Sequence, residues 1–210
     1  MTRIIGWSDD FEALNVPSLW EDYNPQGVGS ISVSDSSLTI SVPKNSVDRF
    51  RGLFSKKGLT YPEFEVLIKL RWNVPNGGSV EIQFNKDFER LVSANLNMYY
   101  FYYYGGYRYY CAKIINGAWK QLGLYDMLNN NPTDFEYWRI RYRRGLMVWD
   151  RSTISENGPW TRFARFIDRS LSPPFRLALV VMIRRDAPAS STSFLYVDWV
   201  KVMRLLPYSI

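Results

Sequence analysis

Apolar and polar positions alternate along most of the chain. At positions 63–72, Phe64, Val66, Ile68, Leu70 and Trp72 take one parity. Glu63, Glu65, Lys69 and Arg71 take the other, with Leu67 among them. Side chains of a strand point alternately to opposite faces, so this spacing predicts a strand with one face buried. Val80, Ile82 and Phe84 alternate in the same way with Ser79, Glu81 and Gln83, and Trp138, Ile140 and Tyr142 with Arg139, Arg141 and Arg143. Ile31 and Val33, then Leu38, Ile40 and Val42, are interleaved with polar residues, mostly serines. Positions 175–183 are apolar on both parities, which predicts a central strand covered on each side. Positions 194–205 predict the closing strand. Turn chemistry separates these runs at Ser34-Asp35-Ser36, Pro75-Asn76-Gly77-Gly78, Asn116-Gly117, Arg144-Gly145 and Asn157-Gly158-Pro159. Roughly a dozen strands and no long amphipathic helix predict an all-β sandwich or barrel. Positions 122–128 alone predict a helical turn. No repeat and no linker divides the chain, so residues 1–210 are expected to form one domain.

The most aromatic stretch is 98–111, Met-Tyr-Tyr-Phe-Tyr-Tyr-Tyr-Gly-Gly-Tyr-Arg-Tyr-Tyr-Cys. Bulky aromatic side chains suit a pleated surface, and Gly105-Gly106 between two such runs predicts a hairpin. Tyr99, Phe101 and Tyr103 then share one face, and Tyr100, Tyr102 and Tyr104 the other. The pattern alone leaves open which face is outward; Phe101 carries no hydroxyl, which favours its set for the core and the Tyr100, Tyr102 and Tyr104 set for the outside. A row of phenol rings is flat, rigid and amphipathic, suited to stacking on sugars or docking a partner.

Charge changes this picture moderately. The formal net charge is +6. Residues 1–48 hold two basic and seven acidic side chains, a net of −5, whereas residues 136–185 hold 11 arginines and four acids, a net of +7. The basic segment suits either an anionic partner or a solvated sheet face that meets the acidic N-terminal segment. No nucleic-acid motif accompanies it, so nucleic acid is not the expected partner. The chain has no histidine, which removes Ser-His and Cys-His catalysis and the commonest zinc ligand. Its one cysteine, Cys111, precludes an internal disulfide and reads as a small buried apolar residue. Met1 to Trp7 is followed at once by Ser8-Asp9-Asp10, which is no signal peptide, and the longest apolar run is too short to cross a bilayer. The expected location is therefore intracellular, or extracellular or on a virion surface if a leader has been removed or is not needed.

Three segments resemble the concanavalin A-like jelly roll, the two-sheet antiparallel sandwich of legume lectins and of the laminarinase and lichenase glycosidases. They are Asp9-Asp10-Phe11-Glu12 followed by Trp20; Tyr137 to Tyr142 with Leu146 to Trp149; and the closing Phe194-Leu195-Tyr196-Val197-Asp198-Trp199-Val200. The likeness is one of pattern along most of the chain, and only the closing strand is locally specific. The glycosidases carry Glu-x-Asp-x-x-Glu, one glutamate as nucleophile and one as acid/base. Here the matching run is Glu81-Ile82-Gln83-Phe84-Asn85-Lys86. Glu81 takes the nucleophile position, Gln83 replaces the aspartate and Lys86 the second glutamate. The resemblance therefore implies the fold, while the departure argues against the activity, because no second carboxyl protonates the leaving oxygen. Acid pairs elsewhere, Glu63 with Glu65 or Asp87 with Glu89, keep a relocated site open. In the lichenase-like relatives the aspartate of the closing strand binds a structural calcium. The resemblance implies that role for Asp198, with Glu12 or Asp10 as a second carboxylate; a hydrogen-bonded or ion-paired aspartate is the alternative.

The resulting expectation is a non-catalytic glycan-binding module. Its ligand face would use Tyr100, Tyr102, Tyr104, Arg108, Trp119 and Trp149 with Glu81 and Gln83. A structural or assembly protein that self-associates on the same jelly roll is one alternative. A polysaccharide hydrolase or lyase with a non-standard site is another.

Overall fold

A computed structural model of the chain describes residues 2–12, 16–44, 49–86, 96–105, 108–126, 132–183 and 189–206. The strands in chain order are β1 (Thr2–Asp9), β2 (Trp20–Tyr23), β3 (Ser30–Ser34), β4 (Ser37–Val42), β5 (Arg49–Ser55), β6 (Glu63–Asn73), β7 (Gly78–Asn85) and β8 (Met98–Tyr104). They continue with β9 (Arg108–Ile115), β10 (Ala118–Asp126), β11 (Glu136–Arg143), β12 (Leu146–Ser152), β13 (Thr161–Ile167), β14 (Arg176–Ile183) and β15 (Ser193–Leu206). One helical turn, α1 (Val16–Leu19), precedes β2.

The strands form two antiparallel sheets. The eight-stranded sheet runs β13-β12-β11-β6-β15-β4-β3, with β1 also on β15. The seven-stranded sheet runs β10-β9-β8-β7-β14-β5-β2. Three hairpins fall at expected turns: Asp35 and Ser36, Asn116 and Gly117, and Arg144 and Gly145 all have positive φ. Positive φ at both central residues twists a two-residue loop with the strands it joins. The aromatic hairpin also forms, β8 pairing with β9 from Met98 opposite Ile114 to Tyr104 opposite Arg108.

The core lies between the sheets and is assembled from the apolar parity of each strand. Phe64, Val66, Ile68, Leu70 and Trp72 of β6, Val80, Ile82 and Phe84 of β7, and Trp138, Ile140 and Tyr142 of β11 all join it. Its centre is a cage of rings. Trp149 meets Trp138 at 4.8 Å, Phe163 at 5.1 Å, Phe101 at 5.6 Å and Tyr109 at 5.9 Å, all edge-on. This geometry sets the electropositive rim of one ring against the face of another. Cys111 is buried in this core, and burial pushes its thiol well above its ordinary range.

Positions 122–126 depart from the expected helical turn. They belong to β10, whose ladder with β9 continues through Leu124 opposite Tyr110 to Asp126 opposite Arg108, and 127–128 lie outside the described residues. Pairing with a neighbouring strand outweighs local preference here.

One loop ties the end of the sandwich together. Asp168 accepts hydrogen bonds from the Tyr99 hydroxyl at 2.7 Å, from the Ser170 amide at 2.9 Å, and from Lys113 and the Ser170 hydroxyl. Partial burial acts to raise its pKa, but the donors from Lys113, Ser170 and Tyr99 outweigh it and hold the carboxyl well below the ordinary aspartate value. The folded state thus favours the ionised form. The stability this contributes is complete above the unfolded value of about 3.9 and is lost as pH falls from there toward the depressed folded value. Asp168→Asn is expected to flatten the rise of unfolding free energy with pH across that acid window. Urea titrations at a series of acid pH values check this, and an unchanged slope would reject the assignment.

Candidate functional site

Alternation along β7 sends Ser79, Glu81, Gln83 and Asn85 away from the core, onto the outer face of the seven-stranded sheet. The sheet is regular on both sides of β7: Glu81 lies opposite Val180 on β14 and Tyr102 on β8, and Gln83 opposite Ala178 and Tyr100. Glu81 Oε1 accepts from Ser79 Oγ at 3.0 Å and Oε2 from Gln83 Nε2 at 2.8 Å. Glu81 and Gln83 are both buried. The Gln83 carboxamide oxygen is buried with no donor among the described residues.

Two apolar wings flank this polar row. On one side Phe50, Phe54, Ala178 and Val180 cluster with Tyr23, whose ring stacks on Phe50 at 5.5 Å. On the other lie Tyr100, Tyr102 and Ala112, with the partly buried Tyr104, Tyr110 and Ile114. Tyr100 stacks on Tyr102 at 5.0 Å, and Tyr102 on Tyr110 at 4.9 Å. Tyr99, Phe101 and Tyr103 belong to the inter-sheet core.

The expected site residues separate into three groups. Tyr100 and Tyr102 share a face with Glu81 and Gln83, but all four are buried and form its floor. Tyr104, half-buried, and Arg108, exposed, lie opposite each other on the same face and reach solvent. Trp119 is 51% exposed on the edge strand β10, opposite Ile114 on that face. Trp149 stands apart. Its ring is 1% exposed and enclosed in the cage between the sheets, because it takes the inward parity of β12, so it presents nothing to this face.

Sequence reasoning missed Tyr110 and Leu124, which lie opposite each other on the same face as Trp119, about 14 Å along the strands from it. Leu124 is 42% exposed. Tyr110 shares parity with Arg108 and was legible. Leu124 was not, because a register shift between Gln121 and Gly123 moves it onto the same face as Gln121.

The strand also revises the alignment with Glu-x-Asp-x-x-Glu. β7 ends at Asn85 and pairs with β14 without a register shift, so the residue that follows Glu81 and Gln83 on their face is Asn85. Lys86 lies past the strand, its ammonium donating to the Ser172 carbonyl at 2.9 Å. The row therefore holds one carboxylate and two amides.

The other acids are placed elsewhere. Glu21 shares the face by its register opposite Phe54, and it pairs with Arg176 at 2.7 Å. Three strand spacings separate it from Gln83, about 14 Å. Paired glycosidase carboxyls stand at most about 9.5 Å apart. Glu63 and Glu65 lie on the eight-stranded sheet, held by Arg143 at 2.8 Å and by Arg3 at 3.1 Å. Asp87 and Glu89 fall outside the described residues.

Asp198 is half-buried on β15 and pairs with Lys69 at 2.6 Å. β1 does lie beside β15, but Asp9, opposite Val200, spends its carboxylate on the Trp20 indole at 2.7 Å and the Phe11 amide at 2.9 Å. Asp10 and Glu12 are exposed. No group of three or more acids, cysteines or histidines able to hold a metal occurs among the described residues. Calcium takes six to eight oxygen ligands, and a lone carboxylate already neutralised by an ammonium does not fit that set.

No protein-family model matches the chain, and no curated protein sequence matches it. Solved structures do. The catalytic domain of an endo-1,3-β-glucanase (laminarinase) from Thermotoga petrophila superposes with a TM-score of 0.72 at 13% identity, over 97% of this chain and 98% of that one. The κ-carrageenase of Pseudoalteromonas carrageenovora, in complex with an oligotetrasaccharide of κ-carrageenan, gives 0.71 at 12% identity over 97% and 95%. The exoplasmic/lumenal domain of VIP36, in a form bound to Ca2+ and Man3GlcNAc, gives 0.68 at 12% identity over 91% and 86%. The fold is the concanavalin A-like jelly roll. On this jelly roll the polar row of β7 and its flanking rings occupy the outer face of the seven-stranded sheet, and the basic strands β11 to β13 belong to the other sheet.

Proposed function

We propose that this jelly roll binds a glycan without cleaving it, on the β9–β10 side of the outer face of the seven-stranded sheet. Trp119 and Tyr110 supply ring faces for sugar stacking, Tyr104 and Arg108 donate to hydroxyls, and the Glu81–Gln83 floor orients them. The observation that carries this reading is an exposed tryptophan and half-buried tyrosines spaced along one face, whose β7 row holds a single carboxylate. Apolar ring faces with few convergent polar groups are the usual make-up of a small-ligand site. The usual glycosidase site has two carboxyls within reach of one bond. Neighbours of the same fold hold oligosaccharides, one of κ-carrageenan and one of mannose and N-acetylglucosamine, which supports the ligand class.

A glycan array read alongside release of reducing ends tests both halves. Binding without release is expected. Trp119→Ala should weaken binding by roughly tenfold or more, as loss of an anchoring aromatic does, with thermal stability unchanged. Release of reducing ends that disappears in Glu81→Gln would overturn the non-catalytic reading, and absence of binding to every glycan would overturn the whole.

A further inference from the structure

The outer face of the eight-stranded sheet carries an arginine cluster that the glycan reading does not use. Asp150 is 1% exposed and accepts from Arg139 at 2.8 Å, Arg141 at 2.6 Å and Arg162 at 3.2 Å. A fourth cation, Arg165, is exposed and has no hydrogen bond or ion pair among the described residues. With Glu65, opposite Arg141, and its partner Arg3 included, five guanidinium groups meet two carboxylates, a surplus of three positive charges at this corner.

A bulge creates the cluster. Arg165 lies opposite Val148 and Ala164 opposite Trp149, but Asp150 lies opposite Arg162, so Phe163 is the extra residue of β13. Phe163 packs into the core, with Ala164 partly buried against it. Residues three apart in a regular strand point to opposite faces, and an extra residue puts them on one. Arg162 and Arg165 therefore project together from the same face as Arg139 and Arg141. Val148 separates Arg141 from Arg165 in register, a gap of about 10 Å that two long side chains can close on one anion. The Arg141 Nε is buried with no acceptor among the described residues.

We propose that this corner binds a sulfated glycan, the guanidinium groups of Arg141, Arg162 and Arg165 gripping its sulfate groups. Planar guanidinium matches the paired oxygens of such an anion. Two observations favour a glycan over nucleic acid. Asp150 sits within the cluster and Glu65 nearby, so a ligand with sparse anions meets less repulsion than duplex DNA, with one charge per about 1.7 Å of axis. Half-buried rings also adjoin the arginines: Arg139 covers Trp160 at 4.0 Å, and Tyr137 contacts Trp199 at 6.0 Å along the same face. The site is separate from the platform around Trp119 and stands or falls independently of it.

Calorimetric titration with a lightly substituted dextran sulfate, less densely charged than DNA, with neutral dextran and with a duplex oligonucleotide tests the proposal. Dextran sulfate should bind, more tightly than either of the others, with affinity falling as salt rises. Arg162→Ala with Arg165→Ala should weaken it about tenfold or more, the worth of charged hydrogen bonds. Arg165→Glu alone breaks no ion pair and should act in the same direction as the double variant. Oligonucleotide binding as tight as dextran sulfate binding would overturn the ligand class. Absence of dextran sulfate binding, or equal binding by the arginine variants, would overturn the site.

Discussion

Asp150→Asn is expected to destabilise the fold by about 3–5 kcal/mol, the usual result of removing one partner from a buried ion pair. The carboxylate is 1% exposed, and the side chains of Arg139 and Arg141 are 12% and 30% exposed. Without its charge these guanidinium groups stay packed against β12 with Glu65, already paired with Arg3, as the remaining nearby carboxylate. Burial already acts to lower the pKa of Arg139, Arg141 lowers it further, and the Asp150 hydrogen bond works against both. Arg162, 51% exposed, provides the contrast: Arg162→Ala should cost under about 1 kcal/mol, because an exposed pair is screened by water. Urea denaturation of the two variants beside the parent checks the difference, and a loss below about 1 kcal/mol for Asp150→Asn would reject the buried network.

Trp149→Ala is the second large effect, with an expected loss of about 3–5 kcal/mol. It removes the ring at the middle of the cage formed with Phe101, Tyr109, Trp138 and Phe163, and strands cannot close over a hole of that size. Trp119→Ala should stay within about 0.5 kcal/mol of the parent, as for most exposed positions. Trp119 and Trp149 are both strand tryptophans, on β10 and β12, and their stability changes should separate them cleanly. Similar losses for both would mean that the inward parity of β12 is misassigned.

Much of the sandwich was legible because a strand repeats every two residues. The parity of Phe64 to Trp72 and of Trp138 to Tyr142 marks inward faces directly, and Asp35-Ser36 and Asn116-Gly117 mark turns by their tolerance of positive φ. The ribbon's two faces were separable for the same reason. The candidate sites were less legible. Local pattern does not reveal an inserted residue, so the shift at Gln121/Gly123 that exposes Leu124 and the bulge at Phe163 that gathers Arg162 with Arg165 had no signature. The regularity of β7 had none either, and Asn85 rather than Lys86 follows Gln83 for that reason. Strand partners were equally hidden. Glu63 and Glu65 read as a possible acid pair until β11 brought Arg143, and the N-terminal strand Arg3, against them.

By itself, the order of residues determined which side of each strand is apolar, where the chain reverses, and that these residues offer no histidine and no internal disulfide. Those properties depend on near neighbours in the chain. Only the tertiary structure decided which rings meet solvent and which acids meet arginines. Both depend on strands far apart in sequence lying about 4.8 Å apart in a sheet, at a register that one inserted residue can shift.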